Sequence, residues 1–328
     1  MPLNFLKIVQ ILNQYQPKEI LSGHVRVLDL GCGPGTSSLG LTHFYDQMIT
    51  QKKIGPCDLD ITLIDQNYHA IREARNLFEV LKQSTLNKNT TVNVSSRSVD
   101  FRKMPISKLL GNFKYHYILL SNVLNEIGDR QAKIQFVSQL MKHLDPQNGR
   151  LILIEPALKN TSRDLQSVRD EIAVISKEGY VQLPCLNQNM CPLNIVNKRD
   201  WCHFYGAWEP PVFIKKLDKL IGNKNDWLKF SYIVLSPQPR EWQRVLPKFE
   251  DSWRVISNQM PTNGKKEIVF CGPKGRYHLE RLDKDKSAQN RMFDAMRRGD
   301  IVEWCGADKS YANDGRVRFS KEDVLAIW

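Results

Sequence analysis

Two groups of residues in the 328-residue sequence stand out for the reactions they make possible. The first is Asp29-Leu30-Gly31-Cys32-Gly33-Pro34-Gly35-Thr36, with three glycines at alternate positions behind an acid. Glycine removes the side chain that keeps a ligand off the backbone, and free N–H groups at the start of a helix bind the ligand's polar groups. The second group is cysteine. Cys185 and Cys191 are separated by five residues, Cys202 follows after ten more, and Cys271 lies far downstream in Ile268-Val269-Phe270-Cys271-Gly272. Four thiolates from loops make a metal site, either tetrahedral zinc or a cubane iron–sulfur cluster. Zinc ligands usually come as closely spaced pairs, and neither spacing here fits. Wide, irregular spacing with Pro184 and Pro192 beside the ligands suits a cluster better, because each thiolate reaches a separate corner. Buried free cysteine accounts for Cys32, Cys57 and Cys305.

The glycine group needs a strand before it and a helix after it. Val25, Val27, Leu28 and Leu30 form a short β-type apolar run, and Ser37 to Phe44 reads as a helix. Asp60 to Asp65 predicts a second strand ending in an acid, placed to accept hydrogen bonds from ribose hydroxyls. A helix over Tyr68 to Lys82, a third strand over Thr91 to Val99 and a fourth over Tyr115 to Asn122 follow. Beyond them come a helix over Gln131 to His143 and a fifth strand, Arg150 to Glu155. Five βα units in order predict an α/β, Rossmann-like domain over residues 1–160. The glycine pattern is not the dinucleotide fingerprint G-x-G-x-x-G. It resembles motif I of the class I S-adenosylmethionine (SAM) methyltransferases. That resemblance implies SAM against Asp29, Gly31, Gly33, Gly35 and Thr36, with Asp65 on the ribose and Asp100 and Phe101 at the adenine. Asn122 is expected at the same cofactor site, and Asn122, Asn125 and Glu126 are the pocket candidates for the methyl acceptor. Ser121-Asn122-Val123-Leu124-Asn125-Glu126 lacks the acid/amide-Pro-Pro-aromatic turn with which many such enzymes hold a base, and it contains no cysteine nucleophile. No catalytic base is assigned.

Residues 161–328 are expected to form a second, β-containing domain that carries the cysteines and binds RNA. Helices are expected over Ser162 to Lys177, Lys215 to Ile221 and Ala288 to Arg298, with strands at Phe230 to Leu235 and Gly315 to Phe319. The formal net charge is +12, which favours a polyanionic partner. Lys265 to Arg298 holds ten Lys/Arg against five Asp/Glu, so a large share of the excess sits in one stretch. Lys265, Lys266, Lys274, Arg276, Arg281, Lys284, Lys286, Arg291, Arg297 and Arg298 are expected to present one phosphate-binding face. A hydrophobic fraction of 41% with 25% charged residues is that of an ordinary globular chain. No apolar run reaches bilayer length, so no membrane partner is expected. The first fourteen residues read as a short amphipathic helix without a basic n-region or cleavage site. The expected compartment is the cytoplasm, with the mitochondrial matrix as the alternative.

Taken together, Pro184-Cys185 with Cys191-Pro192-Leu193, Asp200-Trp201-Cys202-His203-Phe204, the distant Phe270-Cys271-Gly272 and the two SAM-type motifs resemble one family. It is the methyltransferase-like small-ribosomal-subunit assembly factors of mitochondria and their bacterial relatives, and the likeness runs from Val25 to Trp304. The resemblance implies a [4Fe–4S] cluster on Cys185, Cys191, Cys202 and Cys271, with Trp201 and His203 packed around it. It also implies small-subunit rRNA as partner and a monomer away from the ribosome. Two functions follow from it: methylation of that rRNA, or assembly without turnover. A small-molecule methyltransferase is a third reading, which leaves the basic stretch unused.

Overall fold

The computed structural model describes residues 2–84, 86–196, 199–222, 226–305 and 316–327. In chain order the elements of the first half are α1 (Pro2–Leu12), β1 (Gly23–Leu30), α2 (Thr36–Thr50), β2 (Cys57–Asp65), α3 (Tyr68–Ser84), β3 (Thr90–Ser98), α4 (Ile106–Leu110), β4 (Tyr117–Ser121), α5 (Arg130–Met141) and β5 (Arg150–Glu155). Then come α6 (Lys159–Asp170), β6 (Tyr180–Leu183), α7 (Pro192–Val196), β7 (Phe204–Ala207), α8 (Val212–Ile221), β8 (Trp227–Ser236) and α9 (Trp242–Val245). The last are β9 (Ser252–Val255), β10 (Met260–Thr262), β11 (Lys265–Gly272), β12 (Gly275–Leu282), β13 (Ile301–Glu303), β14 (Arg316–Arg318) and β15 (Ala326–Ile327). Among the described residues no helix is long and apolar enough to cross a membrane.

The chain divides into two compact units. Met1–Glu155, Glu171–Leu183 and Tyr232–Pro239 make the first. Its sheet has the order β3-β2-β1-β4-β5-β8-β6. β1 runs parallel to β2 and β4, β2 to β3, and β4 to β5, while β6 is antiparallel to β8. Every residue of β5 and Tyr117 to Leu120 of β4 are buried, as central parallel strands covered on both faces should be. The expected division near residue 160 lies close to Pro156, where the chain first leaves this unit. A contiguous boundary is not what forms. Residues 171–183 and 232–239 return to extend the sheet, because Val181, Leu183 and Tyr232 to Leu235 are apolar strand residues that become buried there. The helix expected over Ser162 to Lys177 is α6 followed by a π-turn, Glu171–Ile175, where the chain crosses between units.

Pro156–Asp170, Pro184–Ser231 and Arg240–Trp328 make the second unit. Its sheet has the order β14-β12-β11-β9-β13-β15, with β10 on β11. Alternation along the strands separates two faces. Trp253 and Val255 of β9, Ile268 and Phe270 of β11 and Leu279 of β12 join a core with Phe293, Trp304 and Phe319. The intervening Arg254 and Arg276 pair in register with Cys271, on strands either side of it, and so share the opposite face.

The helix expected over Ala288 to Arg298 does not form. The segment is irregular apart from a 3-10 turn, Arg291–Asp294. The cause is Asn290, a fully buried side chain that bonds backbone instead of allowing a helix to close. Its Nδ2 donates to the Asp285 carbonyl at 2.8 Å and the Ser320 carbonyl at 3.0 Å, and its Oδ1 accepts from Ser287 N at 3.0 Å. The strand expected over Gly315 to Phe319 is β14, with Gly315 outside the described residues. Asn290→Ala is expected to destabilise the chain by about 2–3 kcal/mol, since it leaves buried backbone groups without partners. Urea denaturation checks this, and a change below about 0.5 kcal/mol would show that Asn290 does not hold the segment.

Candidate functional site

In the first unit the strand order reverses beside β1, with β2 and β3 on one side and β4 and β5 on the other. Such a switch point opens a crevice at the carboxyl ends of the strands, where ligands bind in open α/β sheets. The glycine loop stands there. Gly31 N and Cys32 N both donate to the Ile64 carbonyl, which ties the loop to the end of β2. Gly33 N donates to Asp65 Oδ2 at 2.8 Å, and Asp65 Oδ1 accepts from Asn67 N. Gly31 has φ +72°, and a Cβ there would meet Val123 Cγ2 at 2.5 Å. Gly33 has φ +53°, but a Cβ there would meet nothing within 4 Å, so its free face is open. The loop therefore packs at Gly31 and leaves room at Gly33.

Asp29 is buried and accepts from both Ser38 N and Ser38 Oγ. Burial, working against those bonds, pushes its carboxyl up to about 6. Its role in the structure is to fix the first turn of α2 beneath the loop. Thr36 begins that helix and is half-buried. Asp100 caps a 3-10 turn and pairs with Arg102, whose hydrogen bond holds the carboxyl below its ordinary value. Phe101 is buried and stacks on Phe136 at 5.7 Å.

At the end of β4, Asn122 takes φ +60°, a left-handed conformation uncommon outside glycine. Asn125 and Glu126 are exposed in the following turn, and Glu126 lies 3.6 Å from Arg102. The same turn is held from below by a residue that sequence reasoning read only as a strand end. Glu155, 2% exposed at the end of β5, accepts from Leu124 N at 2.8 Å, and its Oε2 has no partner. Burial raises its carboxyl from 4.5 to about 7.

In the second unit the fold assembles the four expected cysteines around one place. Burial raises the Cys271 thiol well above its ordinary value, and proximity to Cys185, Cys191 and Cys202 raises it further. Burial, with Cys185 and Cys191 beside it, pushes Cys202 up to about 12, and burial, with Cys185 and Asp170 nearby, pushes Cys191 to about 11. Trp201 and His203 stack on each other beside them. Among the described residues no three His, Cys, Asp or Glu side chains form a group that holds a single metal ion. Cys32 and Cys57 are buried, as the core reading expects, whereas Cys305 is exposed.

Four arginines accompany the cysteines, and sequence reasoning missed two of them, Arg169 and Arg254, while assigning Arg276 and Arg298 to an RNA face. Arg254 donates to the Pro184 carbonyl at 2.6 Å and Arg169 to the Asn187 and Asn189 carbonyls, on either side of Cys185. Arg298 bonds the His203 ring, next to Cys202. Arg276 reaches Asp200 at 3.3 Å.

The single basic face is likewise corrected. Arg281 is 1% exposed and paired with Asp294 at 2.8 Å, and Arg276 and Arg298 turn toward the cysteine-bearing segments. Lys265, Lys266 and Lys274 are paired with Glu267 and Glu280, with Asp294, and with Asp251. Alternation on paired strands and the missing helix scatter these side chains over several directions. Lys284, Lys286, Arg291 and Arg297 remain exposed.

The family model described as mitochondrial small ribosomal subunit Rsm22 matches residues 6–304. The chain belongs to the Rsm22 family. No curated protein matches it. Solved structures similar to this Rsm22-family chain include TehB from Haemophilus influenzae, at 14% identity and TM-score 0.39, covering 71% of this chain and 62% of that one. Magnesium protoporphyrin IX methyltransferase (ChlM) from Synechocystis PCC 6803 with bound SAM is 13% identical, with TM-score 0.39 over 70% of this chain and 78% of that one. N-methyltransferase NodS from Bradyrhizobium japonicum WM9 with S-adenosyl-l-homocysteine is 14% identical, with TM-score 0.37 over 71% and 86%.

The strained turn in this Rsm22-family chain has a measurable signature in Glu155. A carboxyl whose pKa is raised on folding contributes stability below its ordinary 4.5, and that contribution is lost as pH rises through about 7. Glu155→Gln keeps the acceptor for Leu124 N and cannot ionise. The variant is expected to gain stability relative to the parent chain as pH rises across that window. Thermal denaturation of both over a pH series checks it, and parallel curves would show that Glu155 is not buried as a strained acid.

Proposed function

We propose that this chain is a SAM-binding, iron–sulfur-containing, methyltransferase-like protein that acts on the small ribosomal subunit, by methylating its rRNA or by assisting its assembly. The observation that carries the reading is the glycine loop at the reversal of strand order, packed at Gly31 and open at Gly33. Asp29, Gly31, Gly33, Gly35 and Thr36 would hold the methionine part of SAM, Asp65 the ribose, and Asp100 with Phe101 the adenine side. SAM supplies an electrophilic methyl group, for which alignment with the acceptor is most of the catalytic work. Asn122, Asn125 and Glu126 would stand on the acceptor side of that crevice. The turn after β4 has no proline or ring with which to hold a flipped base, which supports the assembly role beside methylation.

In the second unit Cys185, Cys191, Cys202 and Cys271 would hold a [4Fe–4S] cluster. A single tetrahedral zinc draws its sulfurs to within about 4 Å of one another. A cubane keeps its ligands further apart. Four cysteines from widely separated segments, within electrostatic reach of one another, support the cubane reading over zinc, whose ligands come as closely spaced pairs. The cluster when bound supplies a fixed, reducible anion that joins separated segments. The Rsm22 family's description supports the small subunit as partner and the mitochondrial matrix, rather than the cytoplasm, as the compartment. Away from the ribosome the chain is proposed to be a monomer.

Gly33→Val tests the cofactor site. The branched side chain fills the open face, and SAM affinity measured by calorimetry is expected to fall at least about tenfold, or roughly 1.4 kcal/mol. Unchanged affinity in a folded variant would move the cofactor elsewhere. Binding to a small-subunit rRNA fragment tests the partner. Affinity should fall steeply with salt, and neutralising Lys284, Lys286, Arg291 and Arg297 together should flatten the slope by about one unit per lost phosphate contact. Identical slopes would show that these side chains do not touch RNA.

A further inference from the structure

The four arginines beside the cysteines do more than the charge balance of the described residues requires. Arg169 is 1% exposed and Arg254 is 8% exposed. Arg169 pairs with Asp170 and Arg276 with Asp200. Among the described residues Arg254 and Arg298 have no carboxylate partner. Arg254 donates only to the Pro184 and Gly299 carbonyls, and Arg298 bonds the His203 ring. Arg254 is therefore buried and Arg298 half-buried without an anion, an arrangement that is costly for the buried charge unless one arrives. Each of the four also keeps a buried N–H with no acceptor: Arg169 Nε, Arg254 Nη2, Arg276 Nε and Arg298 Nε.

Their positions follow the cysteines. Arg254 and Arg276 flank Cys271 in register on the two neighbouring strands. Arg169 and Arg254 hold the backbone on both sides of Cys185, and Arg298 bonds the residue after Cys202. Four thiolates around a doubly positive cubane core make a dianion, which matches the two uncompensated arginines. Net charge and hydrogen bonds to sulfur are the levers by which a protein sets a cluster's potential.

We propose that Arg169, Arg254, Arg276 and Arg298 form a counter-charge cage for the four-cysteine site, donating their free N–H groups to the sulfur of the bound cluster and raising its reduction potential. The proposal rests on the cluster reading above. The step concerned is transfer of one electron from an external low-potential donor, dithionite in the test below, to the cubane core, with the donor oxidised by one electron and no bond to the core made or broken. The cage favours it because the added negative charge falls among cations.

The test uses the full chain purified without oxygen, assayed for iron and acid-labile sulfide, then titrated with dithionite while electron paramagnetic resonance follows the reduced cluster. At the potential that half-reduces the parent chain, Arg298→Gln is expected to lower the reduced-to-oxidised ratio at least about tenfold, or 59 mV for one electron. Arg298→Lys keeps the charge and should stay near the parent ratio. Loss of the cluster from the Gln variant, with loading retained in the Lys variant, supports the same counter-charge role. Equal potentials in the loaded parent and the Gln variant overturn the cage. A parent chain without iron and sulfide overturns the cluster reading and the cage with it. If both Arg298 variants unfold by circular dichroism, Arg276→Gln and Arg276→Lys carry the comparison, with the same outcomes deciding it.

Discussion

A charge taken out of water must meet an opposite charge or a full set of hydrogen bonds, and the second unit is built around that constraint on arginine. It is met in two ways. Arg281 lies against the Phe293 ring, 4.7 Å from its centroid, and its charge is answered by Asp294. That pair closes the irregular segment around Asn290 onto the sheet, and its work is structural. Arg254 has no such carboxylate and gives its hydrogens to main-chain carbonyls instead. A guanidinium ties two loops with donors fixed in one plane, where a lysine ammonium is a compact point charge on a flexible stem. The loops around Cys185 are thus held by cations, Arg169 paired with Asp170 and Arg254 bonded to main-chain carbonyls.

The pleat of the sheet makes this arrangement possible. A period of two sends Trp253, Val255, Ile268 and Phe270 into the apolar core and sends Arg254 and Cys271 to the other side. A slip of one residue in the pairing of β9 with β11 would exchange the faces, burying Arg254 against Trp304 and exposing Trp253. Register is therefore enforced by the hydrophobic core, and the polar site inherits its precision from that core at no further cost. Trp253 strengthens the constraint, donating its ring N–H to the Trp304 carbonyl at 2.9 Å.

In the first unit the corresponding constraint is backbone strain at the carboxyl ends of the strands. Gly31 and Asn122 both adopt left-handed conformations, and Val123, the residue after Asn122, is the one that a side chain at Gly31 would strike. The turns after β1 and β4 are consequently interlocked, one supplying the bulk that the other gives up. Beneath them Asp29 and Glu155 are buried carboxyls, Asp29 accepting from Ser38 N in the first turn of α2 and Glu155 from Leu124 N in the turn after β4. Strained turns on buried acids are costly, and such cost concentrates where a protein must hold a ligand.

The amino-acid sequence by itself determined the elements whose signals are local. Apolar runs and helical periodicity placed β1 to β5 and α3 close to their observed limits, and the motif around Gly31, Gly33 and Gly35 marked the loop that stands at the switch point. Flanking prolines set Cys185 and Cys191 apart from the other cysteines, and the family resemblance added Cys202 and Cys271 as expected partners. What the tertiary structure alone decided depends on partners distant in the chain. Charge density between Lys265 and Arg298 reads as one basic face, yet Asp294, Asp251, Glu267 and Glu280 claim several of those cations once the strands pair. Helical composition over Ala288 to Arg298 loses to a single buried amide, because Asn290 gains more from three fixed backbone partners than a helix surface offers it. Arg169 and Arg254 carry no local mark at all. Their meaning arises only when strand register and loop closure bring them to cysteines that the linear sequence holds apart, since burial and electrostatic pairing are properties of three-dimensional neighbourhoods.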